Sequence, residues 1–155
     1  MGGPTVIRGL AEVKDYVGVE LGVSGWIQIT QERIDAFANA TDDHQWIHSD
    51  VERARRESPW KETIAHGYLT LSLAPALLGQ ILTVEGSTTT ANTGIEKMRL
   101  SSPVLAGSRV RLSAMIKHAR DLPRGGVRVV IHVNLEVEGC SKPACTADVI
   151  YLFLP

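Results

Sequence analysis

Apolar positions follow a helical period through the first half of the chain and switch to alternation after about residue 90. Near the start, Leu10 to Val17 forms a short amphipathic stretch expected to be a helix covering one end of the molecule. Val23 to Ile29 reads as a strand that includes Gly25 and Trp26. Thr30 can cap the free N–H groups of the helix that follows, where Ile34, Phe37 and Ala38 share one face at the i, i+3, i+4 spacing. The polar run Thr41 to His44 breaks this pattern and predicts a loop. Ser49, with Glu52 three positions on, is the expected cap of a second short helix. That helix should stop at Ser58-Pro59, because the residue before a proline avoids helical angles.

Gly67 to Ile81 carries apolar residues all round and no charge, a pattern that belongs in an interior. As one helix it would span roughly 20 Å, kinked or loosened at Pro75. The Gly86-Ser-Thr-Thr-Thr composition between Ile81 and Ala91 suggests a loop that could shape a tunnel or only connect helix to sheet. Strands are then expected at Thr93–Leu100, Ser108–His118, Val127–Val137 and Thr146–Phe153. Turn chemistry separates them at Ser102-Pro103, Ala106-Gly107, Pro123 to Gly126 and Gly139 to Pro143. The order predicts an α+β fold, a curved antiparallel sheet wrapped round a central helix.

At 155 residues the chain fits one domain and can bury a core without disulfides. Hydrophobic residues make up 44% and charged residues 21%, the balance of an ordinary globular protein. A formal net charge of −1 provides no global field toward nucleic acid or an anionic membrane. No apolar run is long enough for a transmembrane helix, and Met1-Gly2-Gly3-Pro4 does not open a secretory signal. A cytoplasmic location is therefore expected, with Cys140 and Cys145 as reduced thiols flanking a turn.

Chemistry concentrates in Phe37-Ala-Asn-Ala-Thr-Asp-Asp-His-Gln-Trp-Ile-His48. Asp43 and His48 could contact one water and exchange protons with it, as general acid and base. An Asp and a His near a turn can equally make a surface hydrogen bond. A second feature is Ala65-His66-Gly67, directly before the apolar helix. A helix start offers free N–H groups and the positive end of the dipole, and glycine lets a ligand carbonyl approach. Gly67 could also serve only a tight turn. His44 and His48, four apart, have metal-ligand spacing on a helix, but no third ligand matches, so no metal is expected. His118 and His132 fall in expected strands and read as structural.

The long segment resembles the hydratase motif of the MaoC-like, R-specific enoyl-CoA hydratases. Phe37 stands at the motif's aromatic, Thr41 at a small residue, Asp43 and His48 at its Asp and His five apart, Ile47 at the aliphatic and Ala54 at the closing small residue. Four positions depart from it: Ala40 for an aliphatic, Asp42 for Gly, Gln45 for Asn and Trp46 for Pro. Ala65 to Thr70 resembles the start of the family's central helix, and Thr93 to Val110 its following strand, turn and strand. The resemblance implies a single hot-dog domain over residues 1–155, paired edge to edge as a homodimer. It implies hydration of a trans-2-enoyl-CoA to the (R)-3-hydroxyacyl-CoA, on an acyl-CoA or acyl carrier protein thioester and without a cofactor. Asp43 and His48 would be the acid–base pair and the Gly67 N–H the oxyanion donor. His66, Tyr68, Trp46 and Trp60 are the residues expected to border the substrate, although His66 could instead bond a backbone carbonyl and the tryptophans could simply pack. A hot-dog thioesterase and a non-catalytic acyl-CoA-binding subunit are the alternative functions.

Overall fold

The computed structural model describes residues 3–155. Its strands are β1 (Thr5–Ile7), β2 (Glu20–Val23), β3 (Ile27–Gln28), β4 (Leu82–Val84), β5 (Thr89–Leu100), β6 (Arg109–Asp121), β7 (Val127–Val137) and β8 (Cys145–Leu154). Its α-helices are α1 (Gln31–Thr41), α2 (Trp46–Ser49), α3 (Val51–Glu57), α4 (Gly67–Ser72) and α5 (Ala74–Leu78). The amphipathic stretch near the start is a 3-10 helix, Leu10–Tyr16, which buries Val13.

One six-stranded antiparallel sheet runs in the order β2-β6-β7-β8-β5, with β3 also pairing β6. The inward positions of β7 and β8, such as Val129, Ile131, Val133, Leu135 and Val149, form the core with Leu112 and Ile116 of β6. The helices α4 and α5 supply Leu69, Leu73, Leu77 and Leu78 to that same core. The α+β arrangement of a sheet around a helix is therefore the observed one.

Several elements differ from the sequence pattern, each for a local reason. The single strand expected over Val23 to Ile29 is two strands, because the chain leaves the ladder at Gly25, whose N–H bonds the Gln80 side chain at 3.0 Å. The helix expected over Gly67 to Ile81 is divided at Leu73, and Pro75 occupies the first turn of the second piece, where its missing N–H is harmless. It is also not buried all round: Leu69, Thr70, Leu73, Ala74, Leu77 and Leu78 face the core while Tyr68, Ser72, Pro75 and Ala76 are exposed. The segment expected as a connecting loop holds β4, which pairs parallel with β1. The strands β5 and β6 follow one another in the chain but not in the sheet, where β7 and β8 lie between them.

Candidate active site

Three short pieces of chain build the site. Helix α1 begins at the Thr30 cap, whose hydroxyl accepts from the Arg33 N–H at 3.2 Å. It ends at Asp42, which takes left-handed angles, φ 58° and ψ 18°. That is the position where the motif has glycine; Asp tolerates this region better than most residues, so the sharp exit is preserved. Asp43 then stands in the turn, with its carboxylate about half exposed. The chain re-enters a helix at Trp46, so His48 sits on α2 and not in a loop. The cap of α3 is Asp50, not Ser49: Asp50 accepts from the Arg53 N–H at 2.9 Å, while the Ser49 hydroxyl turns back toward the His44 and Gln45 carbonyls.

His48 is buried, and its Nδ1 lies 2.6 Å from the Ile64 carbonyl. A carbonyl only accepts, so Nδ1 carries the hydrogen and Nε2 keeps a free lone pair. The Ile64 carbonyl is itself held in place, since the Ile64 N–H bonds the Ile47 carbonyl at 3.0 Å and the Ala65 N–H bonds Val104 at 2.7 Å. Gln31 adds a second brace: its amide donates to the His48 carbonyl at 2.7 Å and to Asp35 at 2.8 Å, and accepts from the Thr63 hydroxyl at 2.5 Å.

His66, the residue before α4, is also buried. Its ring stacks on His48 with centroids 3.8 Å apart, and the Phe37 ring lies tilted against it at 4.9 Å. Its Nε2 donates to the Asp43 backbone carbonyl at 3.0 Å and lies 3.9 Å from the Asp43 carboxylate. The opposite tautomer from that of His48 follows, and among the described residues the buried His66 Nδ1 has no hydrogen-bond partner. The carbonyl-bonding role considered for His66 is thus what the structure shows.

The His48 pKa is lowered from an imidazole's ordinary 6.5, first by burial and further by the neighbouring His66, against the opposing pull of the Ile64 carbonyl and Asp43. The folded protein therefore binds fewer protons here than the unfolded chain in the window just below pH 6.5. Stability contributed by neutral His48 should be present above that window and lost as pH falls through it. Denaturant midpoints measured on descending pH should drop there, and a His48→Gln variant should show a shallower drop.

Donor atoms of Asp43, His48 and His66 lie within 4.8 Å of one another, a span that could hold a metal ion. His66 Nε2, however, already spends its hydrogen on a carbonyl and has no lone pair to offer in that tautomer. The pairing of His44 with His48 suggested by spacing is replaced by His48 with His66.

Gly67 opens α4 directly after His66 and borders a cavity of ≈ 250 Å³ with Trp60, Ala65, Leu100 and Pro103. A Cβ on Gly67 would lie 2.2 Å from Leu100 Cδ1, so glycine keeps the approach to its N–H open. Tyr68 is 72% exposed and borders a different cavity, on the outer face of α4. Trp46 is engaged by Arg53, whose guanidinium carbon sits 4.4 Å from the ring centre. Asp43, His48, His66 and Gly67 are thus assembled together, Trp60 and Tyr68 flank them along the helix start, and Trp46 is turned to Arg53. Gln31, Thr63 and the Ile64 carbonyl carry no sequence signal: Gln31 and Thr63 are 32 residues apart, and no pattern links them.

The family model of the MaoC like domain matches residues 13–138. The chain belongs to the MaoC-like family. It is a member of a dehydratase family, and its enzyme class is hydro-lyase. The MaoC-like chain is 43% identical over 145 residues to the 3-hydroxyacyl-thioester dehydratase Z of Mycobacterium tuberculosis, covering 94% of this chain and 95% of that protein. It is 42% identical over 140 residues to nodulation protein N of Rhizobium leguminosarum bv. viciae, covering 90% and 87%. The (R)-hydratase from A. caviae involved in PHA biosynthesis superposes with a TM-score of 0.71 at 24% identity, covering 90% of this chain and 96% of that one. The monoamine oxidase regulatory protein from Archaeoglobus fulgius gives a TM-score of 0.77 at 21% identity, covering 98% and 97%. The MaoC-like chain has the hot-dog fold that its sequence resemblance implied. Among the described residues no helix is long and apolar enough to cross a membrane.

Proposed function

We propose that this MaoC-like protein adds water reversibly across the double bond of a trans-2-enoyl thioester to give the (R)-3-hydroxyacyl thioester, acting as one hydratase domain over residues 1–155. The observation that carries the reading is the free Nε2 of buried His48 beside the Asp43 carboxylate, one helix start away from the Gly67 N–H. The dehydratase name of the 43%-identical relative supports the thioester as substrate class.

In this reading the substrate carbonyl lies against the Gly67 N–H, which stabilises the enolate-like oxygen that forms as the β carbon is attacked. Water sits between Asp43 and His48. His48 Nε2 accepts one water proton while the oxygen bonds the β carbon, and the Asp43 carboxylate accepts a hydrogen bond from the remaining O–H. A proton from the pair then goes to the α carbon, so H and OH are both delivered and no cofactor is consumed. Neutral His48 is the working form, so the acid limb of kcat/KM should fall below pH 6.5.

A homodimer fits the same reading. Among the described residues the twelve-residue strand β5 is bonded on one side only, and its Ile95 and Leu100 are 46% and 51% exposed, next to the open face of α4. Such an edge favours pairing with a second copy.

The deciding assay incubates the protein with crotonyl-CoA and follows enoyl absorbance and free thiol together. Loss of absorbance without thiol is expected. Thiol release with the alkene intact would make the protein a thioesterase, and no change in either would leave a binding subunit.

A further inference from the structure

Helix α2 is four residues long, and a helix of that length has no stability of its own. The place of His48 therefore depends on what ties α2 to the body of the protein. The Ile64 N–H bonds the Ile47 carbonyl at 3.0 Å, and the His48 ring bonds the Ile64 carbonyl at 2.6 Å. The Gln31 amide donates to the His48 carbonyl at 2.7 Å. Gln31 also reaches Thr63, the residue before Ile64, whose hydroxyl lies 2.5 Å from its Oε1. These bonds close a loop that runs from the His48 backbone through Gln31, Thr63 and Ile64 to the His48 ring. His48 is thus gripped at two points, and both grips lead back to consecutive residues.

Gln31 and Thr63 share an anchor. The Ala106 N–H bonds the Thr63 carbonyl at 3.0 Å, and the Ala65 N–H bonds the Val104 carbonyl at 2.7 Å. The same stretch continues to Gly107 and Ser108, which bond the two sides of Ile29 at 2.7 and 2.8 Å. Gln31 follows Ile29 by two residues, as the first residue of α1. Amide and hydroxyl are therefore both referenced to residues 104–108. The direction of the amide is also fixed. The His48 carbonyl and the Asp35 carboxylate only accept, so the amide nitrogen faces them and its oxygen faces Thr63. Thr63 is fully buried, and its hydroxyl donates to that oxygen. Without this donor the loop opens.

We propose that Gln31 and Thr63 are positioning residues for the hydration: the loop they close holds the His48 ring in the tautomer and direction that leave Nε2 free to accept a proton from water. The inference rests on the hydratase reading above and deepens it. Which imidazole nitrogen carries the hydrogen is set by the bond the other one makes. Here that bond is to the Ile64 carbonyl, and it lasts only while the His48 backbone stays in register with Ile64. Once the loop opens, α2 shifts on its remaining ties and the ring slackens from Ile64. The Nε2–H tautomer, which has no lone pair to offer at Nε2, then gains population. Both residues act through His48, and neither is assigned a proton.

The test reads the ring and the reaction separately, in the full-length protein. Thr63→Val removes the hydroxyl and keeps the shape, Gln31→Met removes the amide and keeps the length, and Thr63→Ser keeps the hydroxyl. With the ring nitrogens isotopically labelled, proton–nitrogen correlation spectra at neutral pH report the His48 tautomer, its signals being those absent from His48→Gln. The unmodified protein should show the hydrogen on Nδ1. Thr63→Val and Gln31→Met should show both tautomers. Their kcat for crotonyl-CoA should fall roughly tenfold to a hundredfold with KM little changed, toward the cost of a ~1 Å misplacement at a reacting centre. Thr63→Ser should keep the Nδ1–H signature and most of kcat. A stabilising role alone would lower the unfolding midpoint and leave the spectrum and kcat of the folded protein as they were, so midpoints are measured alongside and assays run well below them. An unchanged spectrum or an unchanged kcat in both Thr63→Val and Gln31→Met would overturn the proposal, as would a Thr63→Ser protein no better than Thr63→Val. Gln31 is only half-buried, so Gln31→Met decides the matter where Thr63→Val does not fold. A protein whose tautomer responds to these variants but which never hydrates crotonyl-CoA refutes the hydratase reading and not the hold of the loop on His48.

Discussion

Asp43→Asn should lower kcat/KM for enoyl-thioester hydration roughly a hundredfold to ten-thousandfold, the usual contribution of one acid–base group. Asparagine has nearly the shape of aspartate but no charge, so it cannot hold the water in the same sense or balance the proton that His48 takes up. The carboxylate is about half exposed, and its one hydrogen bond within the turn, from the Gln45 N–H, is long at 3.5 Å. Its replacement should therefore change unfolding free energy by no more than about 0.5 kcal/mol, the range of ordinary surface substitutions. His48→Gln should lose activity to a similar degree, but with a stability cost, because it disturbs the bond to the Ile64 carbonyl. The double variant should be little worse than either single one, since the two groups act on one water. Hydration near the full rate in Asp43→Asn, at unchanged stability, would remove the assignment of this pair.

The second large effect is expected at Gly67. Gly67→Ala places a methyl 2.2 Å from Leu100 Cδ1. Leu100 is 51% exposed and its side-chain tip can move away, so folding should survive. The approach to the Gly67 N–H should not survive, because the methyl or the displaced Leu100 occupies the space the substrate carbonyl needs. A displacement of about 1 Å at a reacting centre is worth about a hundredfold in rate, and kcat/KM should fall by that order. Leu100→Ala in the same chain separates the causes. If the loss came only from crowding against Leu100, the double variant would regain activity; if the methyl blocks the donor, stability returns and activity does not. Kinetics and denaturant unfolding of the two single variants and the double variant decide between them.

What could be read from the sequence divides along physical lines. Alternation placed β7 over residues 127–137 without error, since each of its inward positions faces the core. The cap at Thr30, the break after Thr41 and the stop at Ser58-Pro59 were equally legible, because each depends on residues close in sequence. Alternation does not say which strands are neighbours. It marks β5 as a strand, yet only the fold sets β5 beside β8 and away from β6. The three-residue strands β1 and β4 are too short for any period to appear, and their pairing joins Thr5 to Leu82 across half of the chain. The apolar stretch from Gly67 looked interior because it holds no charge, but composition cannot distinguish a buried face from one left open along a cavity.

Within the site, Asp43, His48 and Gly67 were legible through spacing and motif. The place of His66 against them was not, since its partner, the Asp43 carbonyl, is a backbone atom 23 residues away. The tautomers were also out of reach, because they are fixed by the carbonyls of Ile64 and Asp43 rather than by side-chain identity.

The left-handed angles of Asp42 bear on how such motifs are written. In the alphabet of residues, this chain breaks the pattern at its glycine. In the alphabet of backbone angles it does not, because a φ near +60° is what the turn requires, and glycine, asparagine and aspartate are three spellings of it. A pattern stated as helix, left-handed residue, Asp, four residues, His would group this chain with glycine-bearing relatives. It would set aside chains that match letter for letter but carry a β-branched residue at the bend.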